Sequence, residues 1–256
     1  MVLRINIILV LLLFTITSPG APSVTQDESQ YAGGVQSYTE GDYEKALDAW
    51  LELYNAGYRS AELAYNIGNA YYKTDNIAGA LLFYERARLL KPSDEDINYN
   101  LMITRTRVVD RFEEIPELFF VKWFDFVSLS VSSNGWAKFS LVSFILFLLL
   151  LSLFIYSSKY RLKVLGFWTG LLFLIFSLST FAFSNRNKFL VYEGNKAIIF
   201  SPAVSGKSSP DNSGTDLFMI HEGTRVTVED AVGEWYEIRL SDGNKGWVPA
   251  NTLEKI

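Results

Sequence analysis

Two long stretches of this chain carry no charged residue, and they limit its architecture more than any other feature. Phe139–Ser158 (FSLVSFILFLLLLSLFIYSS) and Val164–Asn185 are each long enough, at about 1.5 Å per helical residue, to reach across the roughly 30 Å hydrocarbon layer of a bilayer. The sequence predicts membrane spans at 138–158 and 164–185. Residues 159–163 between them carry Lys159, Arg161 and Lys163 and no acid. So short a link can only turn a hairpin, and its positive charge should hold it in the cytoplasm, although Arg186 and Lys188 weaken the asymmetry. Neither run holds an ionisable side chain, which argues against a proton relay or an ion path. Gly166 and Gly170 form a GxxxG pair. They mark a close helix contact within the hairpin or with a partner, or they are ordinary lipid-facing glycines.

The first residues, MVLRINIILVLLLFTITSPGAPS, read as the three regions of a secretory signal: Arg4, the apolar run Ile7–Phe14, then Ser18, Pro19, Gly20 and Ala21. Residues 1–21 are expected to be removed near Gly20 or Ala21, with an uncleaved anchor as the alternative. An exported N-terminus followed by two spans places both flanking regions outside the cytoplasmic membrane. Residues 110–137 include the aromatic run IPELFFVKWFDF, with Trp123 and Trp136 suited to the headgroup zone. That segment is expected to lie on the outer leaflet in contact with lipid, or else to be a linker helix on the preceding domain. The net charge of −5, with no basic cluster outside the short loop, argues against nucleic acid as a partner. The absence of cysteine excludes disulfides, thiolate metal sites and a lipid-modified cysteine.

The region before the spans repeats itself every 34 residues. Tyr31, Gly34, Tyr38, Ala46 and Trp50 recur as Tyr65, Gly68, Tyr72, Ala80 and Tyr84. The second copy resembles the tetratricopeptide repeat at Gly68, Tyr71, Ala80, Tyr84, Ala87 and Pro92. The first is weaker, with Ser37 and Leu53 at positions where an aromatic and a small residue are usual. Residues 27–109 are thus expected to hold two such repeats and a capping helix that begins around Ser93 and Asp96. In such stacks the first helices line a groove, here Tyr31, Val35, Tyr38, Tyr65, Asn69, Tyr72, Lys73, Tyr99 and Ile103, suited to a short peptide or a partner helix. The competing reading has Tyr31, Tyr65 and Tyr99 packing between helices. Charge-clamp versions of the repeat carry a Lys where Tyr31 or Tyr65 stands, so a C-terminal carboxylate ligand is not expected.

From residue 190 the sequence becomes short β-rich runs, with alternation in RVTVED and WYEIRL broken by a turn at Asp242-Gly243. Residues 190–256 resemble a bacterial SH3-like barrel at Glu222-Gly223-Thr224, Val226, Trp235, Glu237-Ile238 and Gly246-Trp247-Val248. The polar stretch Ser205–Asp216 is expected to be a mobile loop between the first two strands. Tyr192, Trp235, Tyr236 and Trp247 are the candidates for an aromatic surface that binds extended peptides or cell-wall material, with burial inside the barrel as the alternative for Trp247. His221 is the one histidine, and Arg225 stands where a zinc-binding HExxH motif needs its second. No acid, base and nucleophile can be grouped, so neither catalytic residues nor a cofactor or metal is expected, and His221 reads as a turn residue.

The expected fold is therefore multidomain: an all-α tetratricopeptide-repeat stack, a two-helix transmembrane hairpin and a small all-β SH3-like barrel. In that order the modules resemble the BatE family of the aerotolerance operon over essentially the whole chain. The resemblance implies a bacterial inner-membrane protein with both soluble domains in the periplasm. It would act as a non-enzymatic scaffold beside von Willebrand A-type membrane proteins and a MoxR-type ATPase, in stress or envelope maintenance. The alternative is an envelope protein whose barrel docks on peptidoglycan.

Overall fold

The computed structural model describes residues 24–112 and 118–256. The signal reading at 1–21 and residues 113–117 of the aromatic segment lie outside the described residues. Five helices come first: α1 (Val24–Thr39), α2 (Tyr43–Asn55), α3 (Ala61–Lys73), α4 (Ile77–Leu90) and α5 (Glu95–Arg105). Polar side chains start four of them. Asp42, Ser60, Asn76 and Asp94 each accept a hydrogen bond from a backbone N–H in the first turn, satisfying donors that a helix start leaves open. The cap of α5 is Asp94, one residue beyond the expected Ser93.

Consecutive helices pack side by side, and the small residues of the 34-residue period decide how closely. A Cβ on Gly34 would lie 2.4 Å from Trp50 Nε1, and one on Gly68 would lie 2.7 Å from Tyr84 Cδ1. The missing side chain on one helix thus makes room for the large ring on the next. Ala46, Trp50, Ile67, Ala80, Leu82, Tyr84, Ile97 and Leu101 belong to one continuous core.

α6 (Phe119–Leu129) leads into two helices long and apolar enough to cross a membrane, α7 (Ser133–Tyr156) and α8 (Tyr160–Tyr192). Little of either is buried in the protein, unlike a core helix of a soluble domain. The seam between them is made of small residues. Ser133 pairs with Ser184 and Ser140 with Ser177, each hydroxyl donating to the other residue's carbonyl at 2.9–3.0 Å. Gly166 and Gly170 lie on the same seam, where a Cβ on Gly166 would come within 3.0 Å of the Leu150 carbonyl oxygen. Of the readings open to the GxxxG pair, packing of the hairpin on itself is the one present.

α8 runs seven residues past the expected end of the second span. At about 50 Å it is longer than the hydrocarbon thickness, and Arg186 and Lys188 fall in its last two turns. α6 is fastened there. Arg186 Nε and Nη2 donate to Asp125 at 2.6 and 2.9 Å, and Asn187 donates to the carbonyls of Ser128 and Val131. Its other side leaves Phe119, Phe120, Trp123 and Phe126 exposed.

The C-terminal module contains β1 (Lys196–Ile199), β2 (Ala203–Lys207), β3 (Asp216–His221), β4 (Arg225–Val232), β5 (Trp235–Arg239), β6 (Lys245–Pro249) and β7 (Leu253–Lys255). All pairs are antiparallel, in the order β3-β2-β6-β5-β4-β1-β7. Ala197, Ile199, Ile220, Val226, Ile238 and Val248 fill the interior. The stretch expected to be a mobile loop is in part sheet: Ser205–Lys207 belong to β2 and Asp216 opens β3, while Lys207 bridges the hairpin to Asp216 at 2.9 Å.

Candidate functional site

The helical stack and the barrel share an interface. β1 explains why KAIIF shows no alternation. Ala197 and Ile199 face the barrel interior, whereas Ile198 joins the helical core, so both faces are buried. At the β3–β4 turn, Gly223 has φ +84° and lies so close to the stack that a Cβ would sit 3.0 Å from Val108 and 3.2 Å from Leu81. Both the turn and the approach call for glycine.

Two carboxylates fasten this interface. Glu85 of α4, only 3% exposed in its side chain, accepts from Arg88 at 2.6 Å, from Arg225 of β4 at 3.2 Å and from Arg105 of α5. Burial alone would raise its pKa. The charges of Arg88, Arg225 and Arg105 outweigh that and hold the carboxyl at about 2. Asp110 accepts from the His221 backbone N–H at 2.6 Å and the Thr224 hydroxyl at 2.6 Å, and its Oδ1 lies 2.8 Å from His221 Nδ1. Burial opposes its ionisation, but these bonds prevail and lower its pKa. His221 therefore closes β3 and ties the barrel to the chain leaving α5, a larger part than that of a turn residue. At the rim Arg86 reaches Glu254 at 3.0 Å.

The groove residues divide into two sets. Tyr31 accepts from Asn66 Nδ2 at 2.7 Å, and 34 residues on Tyr65 accepts from Asn100 Nδ2 at 2.9 Å. Asn69 accepts from Tyr84 and from Asn100. Tyr31 and Tyr65 thus bind alternate helices, α1 to α3 and α3 to α5, and Asn69 ties α3 to both α4 and α5. Tyr38 packs on Trp50 and Tyr43, and Tyr72 lies under the Arg107 guanidinium. Val35, Lys73 and Tyr99 remain exposed, and Ile103 is half-buried. Tyr99, a groove residue that the competing reading packed with Tyr31 and Tyr65, is 60% exposed because no further helix follows α5 in the stack. Asn66 and Asn100 were readable as a pair: each stands 35 residues after its tyrosine.

The barrel aromatics do not form a single surface. Tyr192 is the last residue of α8, on a helix and not on the barrel. Tyr236 turns inward onto the barrel core, with the Lys255 ammonium 4.9 Å from its ring centre. Trp235 and Trp247 alternate with the core residues Tyr236, Ile238, Gly246 and Val248, so both belong to the outer face and Trp247 is not in the interior. The register pairs Trp235 with Pro249 and Glu237 with Trp247, which makes the two indoles diagonal neighbours. Lys207 pairs with Trp247 on the other side, and Met219 and Leu217 of β3 are exposed beyond it. The outer sheet therefore carries the two indoles with Glu237 beside Trp247, and Lys207, paired with Asp216, between them and the exposed Met219 and Leu217.

Among the described residues no group of His, Asp and Glu is arranged to hold a metal ion. The bacterial SH3 domain family matches residues 207–254, from the end of β2 into β7. No curated protein matches the chain.

Proposed function

We propose that this protein is a membrane-anchored, non-enzymatic adaptor whose helical stack and SH3-like barrel hold protein partners outside the cytoplasmic membrane. The observation that carries this reading is the interface around Glu85 and Asp110, which makes one body of the two modules and requires both to lie on the same side of the α7–α8 hairpin. The helical part fits tetratricopeptide repeats, as the steps Gly34 to Gly68 and Trp50 to Tyr84 suggest. The basic loop between the spans supports an extracytoplasmic body. The module order supports a BatE-like scaffold in the bacterial inner membrane, working beside von Willebrand A-type partners.

A second reading has a specific observation behind it. The barrel matches a bacterial SH3 domain and presents Trp235, Trp247 and Lys207 on its outer face, a combination suited to the mixed apolar and acidic character of cell-wall stem peptides. Sedimentation of the intact chain, in detergent, with purified peptidoglycan separates the two. The adaptor reading expects the chain to stay in solution. Sedimentation that Trp235→Ala with Trp247→Ala abolishes would establish the wall-binding reading in its place.

A further inference from the structure

The 34-residue step that sets Gly34 against Trp50 and Gly68 against Tyr84 next arrives at Met102 of α5. A long side chain replaces the glycine, and it is exposed. In place of a further helix the third step opens onto a cleft of about 400 Å³, lined by Arg88, Asn98, Leu101, Met102, Arg105 and Arg111 among others. The cleft is short of negative charge. Arg88, Arg105 and Arg225 all draw on the single carboxylate of Glu85. Among the described residues Arg111 makes no ion pair, and its neighbour Asp110 is bound to Thr224 and His221. The cleft is thus lined by three guanidiniums and no carboxylate, and Glu85, which pairs with two of them, is shared with Arg225 as well. The three arginines around Glu85 have side chains only 30–42% exposed, so water screens their mutual repulsion incompletely.

We infer that this cleft, on the free edge of α5, docks an acidic segment of a protein partner. Carboxylates of that segment pair with the forked guanidiniums of Arg111, Arg105 and Arg88, the geometry in which arginine binds them best. A neighbouring apolar side chain of the partner rests on Met102 and Leu101, and the Asn98 amide is at hand for its backbone. A bare phosphate would use the charge and leave that apolar floor and the amide idle. The inference rests on the adaptor reading but lies apart from both the groove and the barrel face, so its success or failure is separable from theirs.

The test uses the full chain in phosphatidylcholine nanodiscs and the fluorescence anisotropy of a labelled peptide of glutamates around a central leucine. Saturable, salt-weakened binding is expected, reduced by about tenfold or more in Arg111→Glu and in Met102→Glu, and unchanged in Trp235→Ala with Trp247→Ala. Neither position 111 nor 102 supports the fold, and circular dichroism verifies that in each variant. The inference is overturned if no binding occurs, if a glutamine version of the peptide binds as well, or if Arg111→Glu has no effect. Displacement by inorganic phosphate at the peptide's own concentration overturns it too. So does binding that emerges only in Glu113→Gln with Glu114→Gln, since the chain's own acids would then be the occupant.

Discussion

With 3% of its side chain exposed, Glu85 would be driven toward the neutral acid if it stood alone, because burial penalises the charge. Three arginines from α4, α5 and β4 reverse that, so its ionisation is tied to the assembly of three elements. Glu85→Gln keeps the shape and removes the counter-charge. We expect a loss of about 2–3 kcal/mol in urea unfolding, below the 3–5 typical of a broken buried pair because the arginines can draw water. The folded pKa of about 2 lies below the ordinary 4.5, so this contribution is complete above about 4.5 and fades as pH falls toward 2. Stability of the wild type should therefore drop over that range more steeply than that of Glu85→Gln. A parallel slope in the two would contradict the assignment. The glycines offer a second test at this scale. Gly68→Ala would drive a methyl group into the Tyr84 ring and should cost about 1–3 kcal/mol. Gly33→Ala, in the same helix as Gly34 with nothing within 4 Å, should stabilise by about 0.5–1 kcal/mol. Thermal unfolding of the two variants should move in opposite directions.

Among the elements, those that a local pattern defines were legible and those that a distant contact defines were not. The charge-free runs gave α7 and α8, and the period of 34 gave the positions at which Gly34, Gly68, Trp50 and Tyr84 pack. α8 continues seven residues past 185, the expected end of the second span, with Arg186 and Lys188 within it. A helix needs only backbone bonds to continue past the bilayer, and Asp125 receives Arg186 there. That extension takes Tyr192 away from the barrel. Alternation in β5 and β6 is enough to place Trp235 and Trp247 outside and Tyr236 inside. The interface left no local trace: Glu85 and Arg225 are 140 residues apart, and only a folded chain brings them together. The serine pairs of the hairpin permit a direct test of element packing, since the sequence contains no cysteine. Ser140→Cys with Ser177→Cys should crosslink within one chain under mild oxidation, and Ser140→Cys with Leu172→Cys, whose second position faces outward, should not.

At the scale of the whole molecule, the hairpin and the interface make the same demand. Two spans at α7 and α8, as proposed, return the chain to the side from which it entered, and the Glu85 and Asp110 contacts could not form if a membrane separated the stack from the barrel. On the proposed reading, a body of two modules at the end of the α7–α8 pair holds partners near the membrane surface, and the exposed aromatics of α6 rest on lipid. That arrangement is most directly tested by labelling single cysteines with a membrane-impermeant maleimide in intact spheroplasts. Glu40→Cys at the α1–α2 turn and Glu234→Cys at the β4–β5 turn should react from outside, and Ser158→Cys between α7 and α8 only after permeabilisation. Labelling of residues 40 and 234 from opposite sides, or of residue 158 in intact cells, would contradict the account.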